Sequence, residues 1–142
     1  MKFEYFNPNP EAQTFKSGKP KGWYRDDSCV RALCCATGKD WTTIFNDLTK
    51  ISGNFHDMPH SKIVIHEYCE SHNFEHITFG KPAIGEKRPT IEQFIENNKI
   101  GTYILYTRDY YLCVKDGVLY NTSEMKENSI YSYWKLTNEK NS

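Results

Sequence analysis

The chain has no excess of either charge: 18 Lys and Arg are matched by 18 Asp and Glu, a formal net charge of +0. A balanced chain has no overall field to draw it onto a nucleic-acid polymer or an acidic membrane, so neither is expected as a partner. No apolar run approaches the ~18 residues of a membrane span. The opening residues, Met1, Lys2, Phe3, Glu4 and Tyr5, lack the apolar core of a signal peptide, and the expected setting is the cytoplasm. Also missing is any Cys-x-x-Cys pair. The five cysteines, Cys29, Cys34, Cys35, Cys69 and Cys113, are odd in number and two are adjacent. That pattern speaks against a disulfide framework and against a structural zinc site, and it suits small buried hydrophobes in a reducing compartment. Internal repeats and low-complexity tracts are absent as well.

What the 142 residues do contain is aromatic bulk: ten Tyr, eight Phe and three Trp, 15% of the chain. This is enough buriable surface to exclude a disordered protein, and the length suits one domain. Residues 1–22 read as an arm, with Asn7-Pro8-Asn9-Pro10 followed by Lys16, Lys19 and Lys21 among Ser17, Gly18, Pro20 and Gly22. With Arg25 these lysines form the one local basic feature, either a solvated arm or a lip for an anion.

From Asp26-Asp27-Ser28, whose oxygens can cap a helix, a helical run follows over Cys29–Thr37 and Gly38 closes it. Asp40 caps the next, where Trp41, Ile44, Phe45 and Leu48 recur with helical spacing until Gly53. Ser61 opens a third helix with Val64, Ile65, Tyr68 and Cys69 on one side; a short strand over Phe74–Phe79 and a loop over Gly80–Arg88 come next. Thr90-x-x-Gln93 is a capping box for a helix with Phe94 and Ile95 inward, stopped by Gly101. Beyond it the period changes. Thr102–Thr107, Tyr110–Lys115, Val118–Asn121 and Ser129–Leu136 are aromatic and β-branched, and Asp116-Gly117 is a two-residue hairpin turn. Helices first and an antiparallel sheet last define an α+β domain over 23–136, helices on one face, with a polar tail at 137–142.

Cys29 is the one cysteine at a helix start, where the helix dipole favours thiolate; the bland alternative is a buried packing residue. Asp27-Ser28-Cys29-Val30-Arg31-Ala32-Leu33, then Ala36-Thr37-Gly38-Lys39-Asp40-Trp41, resembles the opening of a small papain-like group of bacteria and their phages, whose nucleophile helix begins with D-C-x-x-R-A. The second half is also similar: Gly101-Thr102-Tyr103-Ile104-Leu105, then Tyr110 to Val114, Asp116-Gly117, Tyr120-Asn121-Thr122 and Tyr133-Trp134. The resemblance covers roughly residues 23–136. It implies a papain-like fold with a Cys–His–Asn/Asp triad, in which Cys29 is the nucleophile, Tyr110 stands where the histidine belongs, and Asn121 is the orienting residue.

The hairpin count agrees with that register. With Asp116-Gly117 as the turn, Lys115 faces Val118 and Leu112 faces Asn121, so Tyr110 shares the face of Asn121 and Tyr111 points to the other. A phenol of pKa ~10 is about one part in a thousand phenolate at pH 7, a poor base for thiol chemistry. His56, His60, His66, His72 and His76 are the candidates for a relocated base. As a metal set, His66, Cys69 and His72 fail the helical geometry, since a six-residue step rotates off the face by about 120°. No metal or cofactor is expected.

Two functions follow. One is a degenerate papain-like domain whose cleft binds a small anion such as a host nucleotide signal, or a host protein, through Arg25, Arg31, Asp27 and Tyr110. The other is an active cysteine hydrolase acting on a peptide or isopeptide bond, with Cys29 as nucleophile, Asn121 as orienter and backbone N–H groups as the oxyanion hole. Loss of the histidine favours the binder.

Overall fold

The computed structural model describes residues 1–9 and 26–137. The element order is β1 (Lys2–Tyr5), α1 (Ser28–Thr37), α2 (Trp41–Phe55), α3 (Lys62–Ser71), β2 (Phe74–Thr78), α4 (Ile91–Asn97), β3 (Thr102–Tyr106), β4 (Tyr111–Lys115), β5 (Val118–Asn121) and β6 (Ser132–Leu136). The strands form one six-stranded mixed sheet in the order β1-β5-β4-β3-β6-β2, and the domain is α+β. Among the described residues no helix is long and apolar enough to cross a membrane.

The start signals in the sequence act as written. Asp40 accepts from the Thr43 N–H at 2.8 Å, and Ser61 accepts from that of Val64. Thr90 and Gln93 close a reciprocal capping box. At the tip between β4 and β5, Asp116 (φ 48°) and Gly117 (φ 81°) both adopt the left-handed conformation of a tight hairpin turn. The pairing Lys115↔Val118 and Cys113↔Tyr120 follows from it. Gly53 does not end α2: the helix runs on to Phe55 and stops at His56, in a left-handed cap with φ 54°. A mid-helix glycine costs only about 1 kcal/mol, which the buried Ile44 and Leu48 face outweighs.

Three larger features differ from the sequence expectation. The first residues of the expected arm are not solvated chain: Lys2–Tyr5 form an edge strand parallel to β5, with Lys2↔Val118 through Tyr5↔Asn121 in register. The sheet is therefore mixed, not purely antiparallel. Nor do the helices keep to one face. Helices α1, α2 and α3 lie on one side, where Cys29, Leu33, Ile44, Leu48, Ile65 and Tyr68 pack with Ile104, Cys113 and Trp134. On the other side α4 sets Ile91, Phe94 and Ile95 against Tyr103, Leu105, Leu112, Val114, Leu119 and Ile130. The reason is legible in the central strands. Tyr103-Ile104-Leu105 and Leu112-Cys113-Val114 are continuous apolar runs rather than alternating ones, so both faces must be covered.

Candidate functional site

The N-terminal turn of α1 meets the sheet where β4 begins. Ser28 anchors that junction, its hydroxyl accepting from the Tyr111 backbone N–H at 3.1 Å. Asp27, at the N-cap, does not cap the helix. Its buried carboxylate instead pairs with Arg31 one turn on, and accepts from Trp41 Nε1 at 3.0 Å and Asn9 Nδ2 at 2.7 Å. Asp27 and Arg31, both read from the sequence as ligand-binding, are thus engaged with each other, tying α1 to α2 and to the segment after β1. Arg25 lies outside the described residues.

Cys29 is buried in the first turn of α1, and its thiol is pushed up to about 12. Burial is the largest cause; the backbone N–H groups of Val30 and Cys29 pull the other way, and the carboxylates of Asp26 and Asp27 add to the rise. The magnitudes decide the outcome. A helix terminus contributes at most roughly 2 kcal/mol toward the anion. A rise from 9.0 to about 12 favours the neutral thiol by about 4 kcal/mol. The sequence expectation of a thiolate-favouring site is therefore reversed: the terminus is there, but the sulfur is turned into the core. Tyr111 and Cys69 are its neighbours in charge interaction.

The expected triad does not assemble on one face. Asn121 is two residues along β5 from Leu119 and shares its face, the α4 side, and its Nδ2 donates to Ser123 O at 2.9 Å and to Met125 Sδ at 3.6 Å. Leu112 is on that face too, as the hairpin count requires, but Cys29 is on the opposite one. Tyr110 precedes β4, in a turn where Thr107 N donates to Tyr110 O at 2.9 Å and Tyr110 N donates to Thr107 Oγ1 at 3.3 Å. Tyr111, assigned from the sequence to the far face, packs against the cluster that holds Cys29. Burial, then the neighbouring Tyr106, Cys29 and Cys69, hold its phenol well above the ordinary value.

Four of the five candidate histidines have defined partners of their own. His76 stacks on Trp134 with ring centroids 4.2 Å apart, His66 meets both rings edge-on, and His66 Nε2 is 3.4 Å from Glu70. His72 stacks on Tyr68 at 3.8 Å, and His56 ends α2. Among the described residues no group of three or more His, Cys, Asp or Glu is placed to hold a metal ion.

What the sequence did not single out is a belt of tyrosines and cations at this same end of the sheet. Tyr106 closes β3 and lies 5.0 Å from Tyr111 and 6.3 Å from Tyr131 by ring centroids. Lys62 Nζ stands 4.8 Å over the Tyr106 ring, and the Arg88 guanidinium 4.3 Å over that of Tyr131. Register explains the gathering. Tyr106↔Tyr111 is the last β3–β4 pair, Tyr131 N donates to Tyr106 O at 2.9 Å, and Ile130 N donates to Pro89 O, which brings Arg88 alongside. Arg88 Nε is buried without a hydrogen-bond partner among the described residues. Lys62 and Arg88 are far apart in sequence and carry no motif, so only the fold reveals them. Chemically the belt offers flat rings for stacking beside two cations for an anion.

Comparison with protein-family models, with curated proteins and with solved structures finds no match to this chain.

Proposed function

We propose that this protein is a degenerate papain-like domain that binds a small anionic ligand with a planar ring, a nucleotide-like molecule, at the tyrosine–cation belt formed by Tyr106, Tyr111, Tyr131, Lys62 and Arg88. The observation that carries the reading is the seating of Lys62 over Tyr106 and of Arg88 over Tyr131, with Tyr106 against Tyr111, whose backbone N–H is held by Ser28 at the start of α1. Each cation sits on a ring rather than in an ion pair among the described residues, so each keeps charge to offer an anion. The buried thiol of Cys29, with its raised pKa, supports binding over thiol catalysis.

Calorimetric titration with nucleoside monophosphates and cyclic dinucleotides tests the reading. Loss of a charge-assisted contact costs about 1.5–3 kcal/mol, so Lys62→Ala and Arg88→Ala should each weaken binding by about tenfold or more. No binding at millimolar ligand, or binding indifferent to both substitutions, would refute the belt as the site. Peptide hydrolysis that disappears in Cys29→Ala would replace this reading with the cysteine hydrolase.

A further inference from the structure

The two edges of the sheet differ in what they present. β1 and β2 are the outermost strands, and among the described residues no strand pairs with the outer side of either. Beyond β1 the Phe6 N–H donates to Asn121 O of β5 at 2.9 Å. Backbone polar groups alternate sides along a strand, so Glu4 and Lys2 also turn theirs toward β5, while Phe3 and Tyr5 turn theirs outward. Among the described residues those outward groups bond to nothing. Such an edge is a template for another strand. Its side chains are laid out in a definite order. Lys2 and Glu4 stand exposed on the α1 face, where Glu4 lies opposite Tyr120, and Phe3 is half-buried against the α4 cluster. Tyr5 is 64% exposed.

We propose that β1 pairs antiparallel with β1 of a second copy of this chain, joining the two six-stranded sheets into one across a two-fold axis at Phe3. The outward groups set that register. Phe3 meets Phe3, and each Phe3 N–H donates to the Phe3 C=O of the other copy; each Tyr5 N–H donates to the Met1 C=O opposite. Lys2 then faces Glu4 of the second copy at a non-hydrogen-bonded position, where opposed Cα atoms are about 4.5 Å apart and side chains lie closest. Symmetry repeats that charge pair on both sides of the axis. On the α4 face the two Phe3 rings come together.

Charge complementarity is what selects a second copy as the occupant. Lys2-Phe3-Glu4 carries a cation and an anion either side of an outward-bonding residue, so its own reverse matches it. β2 has no such match. There Asn73 O accepts from Thr137 N at 2.8 Å, so Phe74, His76 and Thr78 turn their backbone groups outward. Self-pairing about His76 would set imidazole against imidazole and Glu75 against Ile77. A strand of four residues buries little, which places the β1 dimer in the weak, concentration-dependent class.

Sedimentation velocity of the full chain from about 10 μM to about 1 mM tests the pairing. The wild type should pass from monomer to dimer across that range. Lys2→Glu sets carboxylate against carboxylate, Glu4→Lys sets ammonium against ammonium, and each variant alone should dimerise about tenfold or more weakly. An equal mixture of the two variants should associate as tightly as the wild type, because every carboxylate of one copy then faces an ammonium of the other. Tyr5→Pro, which removes an outward N–H and leaves the β5 ladder intact, should stay monomeric with a wild-type circular dichroism spectrum. A wild type that is monomeric throughout, a dimer indifferent to the single variants, or a mixture no tighter than its components overturns the proposal. Lys2, Glu4 and Tyr5 are not part of the tyrosine–cation belt, so failure here leaves the ligand-binding reading standing, and the reverse also holds.

Discussion

Replacing Asp27 with alanine removes the residue that holds three segments together at the start of α1. Its side chain is buried, at 8% exposure, and the Arg31 side chain paired with it keeps 13%. Breaking such a pair from one side costs about 3–5 kcal/mol, because the remaining charge stays buried and uncompensated. Arg31 is near enough to solvent to take the lower end, about 3 kcal/mol. The hydrogen bonds from Trp41 Nε1 and Asn9 Nδ2 are worth roughly 1 kcal/mol net each, but both donors belong to half-buried residues that water can partly serve. The expected loss is therefore about 4 kcal/mol, a large share of the 5–15 kcal/mol that stabilises a typical domain. Urea unfolding followed by tryptophan fluorescence measures it as a lower midpoint at unchanged slope. Asp27→Asn, which keeps an acceptor and loses the charge, should cost about half as much. Adding Arg31→Met to Asp27→Ala should recover stability, since removing both charges leaves none stranded. A loss below about 1 kcal/mol for Asp27→Ala, or a double variant weaker than the single, would refute a structural role and return Asp27 and Arg31 to the candidate ligand contacts.

Cys29, with its thiol near 12, should be about a thousandfold less thiolate at pH 8 than an ordinary thiol of 9.0, and native-state alkylation with iodoacetamide should be slow in proportion and rise about tenfold per pH unit up to pH 11. Peptide mapping that finds Cys29 labelled faster than Cys34 or Cys69 would contradict this. The same raised value sets a sign for stability. The folded state holds this proton more tightly than the unfolded chain, so the contribution is whole below pH 9 and is lost as pH climbs toward 12, at up to about 1.4 kcal/mol per unit. Cys34 adds in the same direction. Denaturation midpoints measured from pH 8 to 11 should fall steadily, and a flat profile would count against both thiols being protonated in the fold. Gly117→Ala, at φ 81°, should cost about 1–2 kcal/mol by thermal unfolding, while Gly53→Ala, helical with open space beyond its Cα, should gain about 0.5–1 kcal/mol.

The elements were readable because their signals are local. Asp40, Ser61 and the Thr90–Gln93 box each bond to a backbone N–H within three residues, and Asp116-Gly117 sets the register of its own hairpin. The α+β class followed from the change of period after Gly101. What escaped depends on pairings between distant segments. Nothing in Lys2-Phe3-Glu4-Tyr5 announces an edge strand parallel to β5, because its partner lies more than a hundred residues away and its own side chains are mostly exposed. The belt of Lys62, Arg88 and three tyrosines is hidden for the same reason, since its members come from α3, the loop before α4, and the ends of three strands.

The candidate triad shows how a correct register can still leave a site unassembled. Leu112 and Asn121 do lie on one face, as the hairpin count requires. A hairpin, however, carries no instruction about which of its faces a helix will cover. In an alternating strand the polar face answers that question, but β3 and β4 are apolar on both, and the choice passes to tertiary contacts. Here α1 settles on the odd-numbered side of β4, with Ser28 held to the Tyr111 backbone and Lys115 reaching Cys35 at the other end. One residue of offset in a period of two therefore exchanges Tyr110 for Tyr111 beside Cys29 and sends Asn121 to the far side of the sheet. In that arrangement Cys29 is packing against Tyr111 and Cys69, and a burial cost near 4 kcal/mol for the charged form explains why a cysteine at a helix start need not be a nucleophile.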